Sequence, residues 1–371
     1  MPGNAVRQNV ISRAKRIVVK VGTAAITDES HRLDRRTVTH LAAQIATAIQ
    51  SGKALTLVTS GAIGAGMGEL DLDERPRTLP MLQAVAAVGQ GQLMRTFHDV
   101  FARRGVRVAQ VLVTRDDFED RTRYLNIRNT LTTLHDCGVL PILNENDAVA
   151  VDEIRYGDND IIAAHITNLL AADLLVLLTS VDGVLKDGKV LDVIERVDRE
   201  TLSLAGTERA RGGSGGMASK LAAARMVTLA GEAAAIANAR APRVLTRLLA
   251  GEPVGTVFVP AARKMSSRRR WIAQAAKPAG RILVDPGAAR AIGQRGKSLL
   301  PSGVTAVTGK FPKGATVSVI GPDETELARG LTNYSSEQIE KIKGLKTSQI
   351  PKVLGDKPYD EVIHRNNMTL A

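Results

Sequence analysis

Through about the first 260 residues, short runs of β-branched and aliphatic side chains alternate with longer stretches whose apolar residues recur at helical spacing. The short runs predict strands at 16–21, 54–59, 106–113, 139–143, 174–178 and 233–237. The longer stretches predict helices at about 34–51, 79–104, 124–136, 160–171 and 218–230. Because nearly continuous apolar strands separated by helices are typical of sheets buried on both faces, we expect an α/β fold with a mainly parallel sheet sandwiched by helices.

The pattern changes after about residue 260. Residues 263–271 are strongly basic, and beyond them glycine and proline divide short apolar runs at 281–284, 305–308 and 315–320. A chain of 371 residues is long enough for two domains. We therefore predict a large first domain over 1–260, a basic linker over 261–279 and a small β-rich domain over 280–371.

Composition excludes several classes of protein. With 44% hydrophobic and 24% charged residues, the chain is close to the globular average, which argues against wholesale disorder. The single cysteine, Cys137, excludes an internal disulfide and any cluster of cysteine ligands for a metal. The longest apolar stretch, 169–178, is interrupted by Asp173 and is too short to span a bilayer. Since no secretory signal is evident either, we expect a cytoplasmic protein that does not enter a membrane.

The formal net charge of +12 is unevenly distributed, because nine basic residues and one acidic residue lie between 240 and 280. A basic region can bind nucleic acid, so one interpretation is an RNA-binding protein that acts through the linker and the tail. The other interpretation is that lysine and arginine only solvate an exposed linker. The chain has one tryptophan, four tyrosines and five phenylalanines, a poor supply for a surface on which bases stack.

Ligands of parallel α/β sheets bind at the carboxyl ends of the strands, and the loops there carry the candidate chemistry. Lys20 and Gly22 close the first predicted strand. A lysine at the end of a buried strand is costly unless its ammonium group meets a charge, and a glycine lets the backbone approach the oxygens of a phosphate. The alternative is a lysine at the edge of the core whose ammonium group reaches water.

Two further loops are rich in glycine. Residues 59–68 contain four glycines spaced G-x-x-G-x-G-x-G, which indicates either a backbone-lined anion site leading into a helix or a flexible loop without a ligand. The spacing differs from the dinucleotide pattern G-x-G-x-x-G. Residues 212–220 place glycines before Lys220 at the start of a predicted helix and favour phosphate binding, with a flexible surface loop as the alternative. They do not form a Walker A motif.

Residues 144–147 and 157–160 contain more asparagine and aspartate than turns and helix caps require. Amides there are able to hold the ammonium or carboxylate of a substrate, and an aspartate is able to orient lysines. These two polar segments, the two lysines and the glycine-rich loops are all expected at one edge of the sheet. Such a set of groups suits phosphoryl transfer from a nucleotide, with Mg²⁺ bound to the nucleotide phosphates. The sequence contains neither a cluster of histidine and cysteine metal ligands nor a serine nucleophile motif. It therefore does not indicate metal-dependent hydrolysis or catalysis by a serine nucleophile.

The same motifs resemble the amino acid kinase family, in an order that is most similar to members that phosphorylate glutamate. The stretches that carry this resemblance are 20–23, 59–66, 143–149, 156–160 and 215–220. The tail resembles the PUA module appended to such kinases, through the stretches 280–288, 298–301 and 307–309. The resemblance covers nearly the whole chain. It implies the amino acid kinase fold for the first domain and a PUA-like fold for the last.

The resemblance implies ATP-dependent phosphorylation of the γ-carboxylate of L-glutamate to γ-glutamyl phosphate, the first step of proline biosynthesis. Sister kinases acting on aspartate, N-acetylglutamate, carbamate or a nucleoside monophosphate are the nearest alternatives. A carboxylate acceptor is already anionic, so the reaction needs no general base. His165, inside a predicted helix, is expected to be a packed side chain. The expected cofactors are ATP and Mg²⁺, and no side chain is assigned as a metal ligand.

By this resemblance, Lys20 and Lys220 stabilise the transferring phosphoryl group and Asp160 orients them. The implied substrate-binding residues are Ser60, Asp147, Asp158 and Asn159. The implied nucleotide-binding residues are Lys20, Gly22, Thr179, Ser180, Ser214, Gly215, Gly216, Met217, Ala218, Ser219 and Lys220. The resemblance further implies feedback inhibition by proline near Asp117 and Glu153, and a homo-oligomer, either a dimer or a tetramer.

The sequence departs from the family pattern on the nucleotide side. Thr179 and Ser180 stand where the family usually has Thr-Asp, and Asp182 follows two residues later. The segment after Gly183 is short and lacks the Asp-Pro-Arg turn that is common in the family. We therefore expect the adenine end of the site to be shaped differently.

Overall fold

The structure is a computed structural model that describes residues 2–28, 30, 32–150, 159–205, 216–261, 264–356 and 358–370. The chain divides into two compact units. The first comprises Met1–Asp117 and Thr122–Lys264, and the second comprises Phe118–Arg121 and Met265–Ala371. Within the described parts of the chain, every helix is too short or too polar to cross a membrane.

A sheet of eight strands, in the order β3-β4-β2-β1-β5-β9-β10-β8, forms the centre of the first unit. Its strands are β1 (Arg16–Val21), β2 (Ala54–Thr59), β3 (Arg107–Val113), β4 (Val139–Glu145), β5 (Leu174–Thr179), β8 (Val193–Ile194), β9 (Ala233–Asn238) and β10 (Thr256–Phe258). A separate antiparallel hairpin joins β6 (Leu185–Lys186) to β7 (Lys189–Val190). Among the described strands of the large sheet, the pair β9–β10 is antiparallel and the other neighbours are parallel. The six predicted strands and the mainly parallel sheet are confirmed.

Helices cover both faces of this sheet. Up to residue 249 they are α1 (Pro2–Ser12), α2 (Thr23–Ile26), α3 (Arg35–Gln50), α4 (Ala62–Glu69), α5 (Leu79–Ala102), α6 (Asp116–Glu119), α7 (Arg121–Asp136), α8 (Asn159–Leu170), α9 (Arg199–Ser203), α10 (Met217–Ala230) and α11 (Val244–Leu249). Helices α3, α5 and α11 share one apolar core with alternate strand residues such as Val19 and Val176. Their strand neighbours Val18 and Leu175 point to the opposite face and are also fully buried, and α8 and α10 contact the central strands. The predicted fold class is confirmed.

The expected glycine-rich loop at 59–68 is mostly the helix α4, so the prediction of a loop there is wrong. Gly61 precedes the helix with φ of 102°, in the left-handed region that favours glycine. A Cβ atom on Gly66 would lie 1.9 Å from the carbonyl oxygen of Val85, and one on Gly89 would lie 1.8 Å from that of Ala62. Glycine is therefore required at these positions because the backbones of α4 and α5 touch.

The strand β4 runs two residues beyond its predicted end at residue 143. Asn144 and Glu145 pair with Leu112 and Val113 of β3, so they are strand residues and not loop residues. Both are buried. The polar character of these two residues hides the end of the strand in the sequence, because a buried strand is expected to be apolar.

The pattern also missed helix α1. Its Arg7 side chain is fully buried, although arginine is a residue that usually marks an exposed face. The guanidinium group donates to the carboxylate of Asp192 (2.7 Å) and to the carbonyls of Val254 (2.9 Å) and Gly255 (2.7 Å). The buried face of this helix also includes Val10 and Ile11, so Arg7 interrupts the apolar stripe on which sequence-based prediction depends.

The second unit contains a five-stranded sheet in the order β12-β11-β13-β14-β15. Its strands are β11 (Arg281–Val284), β12 (Val304–Thr308), β13 (Thr316–Ile320), β14 (Glu326–Leu331) and β15 (Met368–Leu370). Its helices are α12 (Ser267–Arg270), a π-helix (Trp271–Ala275), α13 (Pro286–Arg295), α14 (Ser336–Ile342) and α15 (Ile350–Leu354). Val317 and Val319 lie in its apolar core, so the expectation of a small β-rich fold is confirmed. Arg270, in the preceding basic run, and Ile272, directly after that run, are buried.

Candidate active site

Two lysines from different elements meet one buried carboxylate. Lys20 lies next to the end of β1, Asp160 is the second residue of α8, and Lys220 lies in the first turn of α10. The Nζ atom of Lys20 is 2.6 Å from Oδ1 of Asp160, and the Nζ atom of Lys220 is 3.1 Å from Oδ2. Asp160 is fully buried, and the two lysines are 4% and 6% exposed. The structure thus brings together the three residues that the sequence suggested as catalytic.

The charges of these three side chains do not cancel. Burial alone would raise the pKa of Asp160, but Lys20 and Lys220 outweigh it and the pKa is lowered, so the carboxylate is ionised. Burial and the charge of Lys20 lower the pKa of Lys220, while Asp160 opposes this shift. Two ammonium groups therefore share one carboxylate, and the N-termini of α8 and α10 add positive potential. Such a site attracts an anion.

A second group of polar residues forms a chain of hydrogen bonds. The Nδ2 atom of Asn159 donates to Oγ of Ser60 (2.9 Å) and approaches Oδ1 of Asn144 (3.3 Å). The Nδ2 atom of Asn144 donates to Oε1 of Gln90, which lies on α5 (2.8 Å). The structure therefore brings the predicted Ser60 and Asn159 together. Sequence reasoning assigned no role to Asn144 individually and did not find Gln90, which has no motif around it that marks it as a site residue.

Asp147 lies in the turn after β4 and is half-buried. Burial raises its pKa to about 6, and the charge of Arg75 opposes the shift. This carboxyl group therefore changes its charge close to neutral pH, which is a common property of groups in ligand sites. The predicted Asp158 lies outside the described residues.

The predicted nucleotide residues that the structure describes lie at the ends of β1 and β5 and at the start of α10. The backbone N–H of Gly22 donates to the carbonyl of Leu178 (3.2 Å), and a Cβ atom on Gly22 would lie 3.5 Å from Nζ of Lys20. Glycine at this position therefore keeps the space beside the ammonium group open. Thr179 is half-buried at the last position of β5, and Ser180 is exposed directly after it.

Where the family pattern has an aspartate directly after Thr179, this chain has Asp182 nearby. Asp182, two residues beyond Ser180, accepts a hydrogen bond from Nδ2 of Asn238 (2.8 Å), at the end of the neighbouring strand β9. A carboxylate is thus fixed at this sheet edge although it does not follow Thr179 directly. The sequence alone did not show whether Asp182 lies at this edge of the sheet.

The glycine-rich segment before Lys220 is described only from residue 216 onward. Gly216 is the N-cap of α10, and Met217, Ala218, Ser219 and Lys220 form the first turn of that helix. Backbone N–H groups of a first helical turn have no partner within the helix and point toward a bound anion. The predicted Ser214 and Gly215 lie outside the described residues.

Of the two residues assigned to proline inhibition, Asp117 is described and Glu153 lies outside the described residues. The carboxylate of Asp117 accepts hydrogen bonds from the backbone N–H of Thr114 (2.7 Å) and from Nη1 of Arg123 (3.2 Å). It therefore stabilises the turn after β3. His165 is buried in α8, and burial together with Arg115 lowers its pKa to about 4, so it is a neutral packed side chain as expected.

Comparisons with known proteins show the family to which the chain belongs. The model of the amino acid kinase family matches residues 15–238, and that of the PUA domain matches residues 280–354. The chain belongs to the amino acid kinase family, whose members are phosphotransferases.

Its relatives include proteins named glutamate 5-kinase. That of Thermoanaerobacter sp. (strain X514) is 48% identical over 362 residues, covering 96% of this chain and 97% of the relative. That of Geobacter sp. (strain M21) is 44% identical over 371 residues, covering 98% of this chain and 100% of the relative. A solved carbamate kinase from Giardia lamblia bound to AMP-PNP is 18% identical, with a TM-score of 0.49, and the match covers 67% of this chain and 99% of that one.

Proposed function

We propose that this protein transfers the γ-phosphoryl group of ATP to the γ-carboxylate of L-glutamate and forms γ-glutamyl phosphate, the first step of proline biosynthesis. The observation that carries the proposal is the pair of buried lysines on Asp160, because it places two positive charges around one carboxylate. This is what a reaction between two anions requires. The relatives named glutamate 5-kinase support glutamate as the acceptor.

Lys20 and Lys220 are proposed to contact the phosphoryl group during transfer. Both side chains are buried, so their charges act in an environment of low dielectric where water does not screen them. Asp160 forms an ion pair with each ammonium group and holds the two lysines close together. Because it holds only one negative charge against two positive ones, the site keeps a net attraction for the developing charge of the transition state.

Ser60, Asp147, Asp158 and Asn159 are proposed to bind glutamate. Ser60 and Asn159 are joined by a hydrogen bond, and Asn159 is adjacent in sequence to Asp160, so the amino acid binds directly beside the lysines. An ionised Asp147 is suited to the ammonium group of the substrate. No described side chain has to remove a proton from the acceptor carboxylate, since it is ionised at neutral pH.

ATP is proposed to bind along the edge formed by Lys20, Gly22, Thr179, Ser180 and the residues 214–220. The open space beside Gly22 and the helix start at Gly216 fit the phosphates. Among the described residues, no group of three or more His, Cys, Asp or Glu side chains is able to hold a metal. Mg²⁺ is therefore proposed to enter with the nucleotide, where it neutralises phosphate charge.

We further propose that residues 1–260 are the catalytic domain, 261–279 a basic linker and 280–371 a PUA-like domain. We also propose that the enzyme acts in the cytoplasm, as a dimer or tetramer. Proline is the proposed feedback inhibitor, acting near Asp117 and Glu153. The comparisons give no support to RNA binding as the main function, because relatives matched over nearly the whole chain carry the name of a kinase.

An assay of ADP release with separate acceptors tests the proposal. Glutamate is expected to be the preferred acceptor over aspartate, N-acetylglutamate, carbamate and UMP, and trapping with hydroxylamine is expected to yield the γ-hydroxamate of glutamate. ADP release with another acceptor and none with glutamate would overturn the assignment of the substrate.

A further inference from the structure

We propose that Gln90 is a positioning residue that gives the buried NH₂ group of Asn144 its partner and so holds Asn144 in the orientation on which the glutamate site depends. Gln90 lies outside every motif of the sequence. The inference rests on the proposed function, because it concerns how the same site recognises an amino acid. It is carried by the chain of hydrogen bonds from Gln90 through Asn144 and Asn159 to Ser60.

The direction of this chain is set by the backbone. The N–H of Glu145 donates to Oδ1 of Asn144 at 2.9 Å. A backbone N–H is always a donor, so the atom it meets must be the oxygen of the Asn144 amide. The NH₂ group of Asn144 then faces away, and it donates to Oε1 of Gln90 at 2.8 Å. Asn144 is 2% exposed, so Gln90 gives this NH₂ group a partner in a place that water hardly reaches.

The orientation of Asn144 determines the orientation of Asn159. Because Asn144 presents an oxygen, Asn159 must present its NH₂ group, which also donates to Oγ of Ser60 at 2.9 Å. The Ser60 oxygen is therefore an acceptor in this bond, and its hydroxyl hydrogen is free to be donated elsewhere. The carbonyl oxygen of Asn159 is buried and has no hydrogen-bond partner among the described residues.

At the end formed by Ser60 and Asn159, the chain of hydrogen bonds therefore leaves one donor and one acceptor. At the other end, Nε2 of Gln90 is buried and has no hydrogen-bond partner among the described residues. The hydroxyl of Ser60 suits a carboxylate oxygen, and Oδ1 of Asn159 suits an ammonium group. An amino acid carries both of these groups, whereas the reversed orientation of the amides would present an acceptor at Ser60 and repel a carboxylate. Gln90 thus contributes to the recognition of an amino acid through Asn144 and Asn159, without a contact of its own to the substrate.

Close packing of helices brings Gln90 to this place. The preceding residue, Gly89, lies against the start of α4, where a Cβ atom would come within 1.8 Å of the carbonyl oxygen of Ala62. Helix α4 begins two residues after Ser60. The contact between α4 and α5 therefore places Gln90 within reach of β4, where Asn144 lies.

The test replaces Gln90 in the full-length enzyme and compares the KM values of the two substrates. In Gln90→Met the side chain keeps its length and loses the acceptor, so the NH₂ group of Asn144 is buried without a partner. We expect the KM for glutamate to rise about tenfold, the equivalent of one buried hydrogen bond, and the KM for ATP to change less than twofold. Gln92→Met, the same substitution on the same helix outside the chain of hydrogen bonds, is the control and is expected to leave both KM values unchanged.

A second variant, Gln90→Asn, keeps the test decisive if Gln90→Met does not fold. Gln90→Asn keeps the amide but shortens the side chain by one carbon, so its oxygen no longer reaches Asn144, and it is expected to raise the KM for glutamate in the same direction. An unchanged KM for glutamate in either folded variant would overturn the role of Gln90. A parallel rise of both KM values would also overturn it, because a merely structural role predicts that outcome. If the wild-type enzyme does not phosphorylate glutamate, the proposed function fails first, so the two failures are distinguishable.

Discussion

The two halves of the site are built from adjacent residues, Asn159 and Asp160, by different physical means. Asp160 faces two lysines and is held by opposite charges in a buried environment. Asn159 faces Ser60 and Asn144 and is held by neutral hydrogen bonds whose direction a backbone N–H determines. The start of helix α8 thus joins a charged half to a neutral half.

Because the two halves are held by different forces, they respond differently to pH and to substitution. Coulomb attraction between buried charges is strong and tolerates small displacements, but it depends on the protonation state of each group. Hydrogen bonds between amides are insensitive to pH, but each of them requires the correct atom at the correct distance. The charged half is therefore expected to control the rate and to be sensitive to pH. The neutral half is expected to control affinity for the amino acid.

Removal of the carboxylate at the centre of the charged half is expected to have the largest effect. Asp160→Asn leaves two buried ammonium groups without a counter-charge, and we expect a loss of about 3–5 kcal/mol in the free energy of unfolding. The loss is measured by urea denaturation, with Asp182→Asn, an exposed carboxylate at the same sheet edge, as a control that changes stability by less than about 0.5 kcal/mol. A variant as stable as the control would contradict the account of the buried cluster.

The same variant has a defined pH response. Asp160 raises the pKa of Lys220 against the lowering effects of burial and Lys20. Without Asp160 this pKa falls further, so the ammonium group is lost at a lower pH, and any residual activity of Asp160→Asn is expected to decline at lower pH than that of the wild type. Identical alkaline limbs of the two profiles would show that Lys220 is not the titrating group.

Lys220→Ala is expected to lower kcat by about 100- to 1000-fold while the KM for glutamate changes much less. The reason is that its contact with the phosphoryl group strengthens as charge develops in the transition state. Lys264→Ala is a matched control, since Lys264 also binds an aspartate, Asp173 at 2.6 Å, but is exposed. A rise of the glutamate KM with kcat intact would assign Lys220 to ground-state binding.

The smallest effect is expected at Asp147, the titratable group on the side of the amino acid. Its carboxyl group has a pKa of about 6, so it is neutral at lower pH and ionised at higher pH. The KM for glutamate is therefore expected to fall as the pH rises through about 6, by up to about tenfold per pH unit on the acid side. Asp147→Asn should give a high KM that lacks this dependence. A variant that keeps the wild-type profile would place the titration elsewhere.

Much of the charged half was evident in the sequence. Lys20 and Lys220 stand out because each lies near glycine at a strand end or a helix start, and a parallel sheet brings such positions to one edge. The neutral half was only partly evident. Asn144 was taken as a loop residue because β4 ends in polar residues, and Gln90 lies in the middle of a long helix where glutamine is an ordinary exposed residue.

The glycines between 59 and 68 show the same limit. Their number suggested either an anion-binding loop or a flexible loop without a ligand. Gly66 is instead required because the helices α4 and α5 touch there. Local composition is unable to distinguish a glycine that frees the backbone from one that lets another backbone approach.

Hydrophobic spacing and motif chemistry by themselves determined the parallel sheet, the small β-rich second fold and the lysines of the charged half, since each of these is recorded in residues that are close along the chain. The tertiary structure alone decided which amide faces which, how far β4 extends and why α4 is a helix. These features depend on atoms contributed by segments far apart in the sequence, and their energies arise only when those atoms meet.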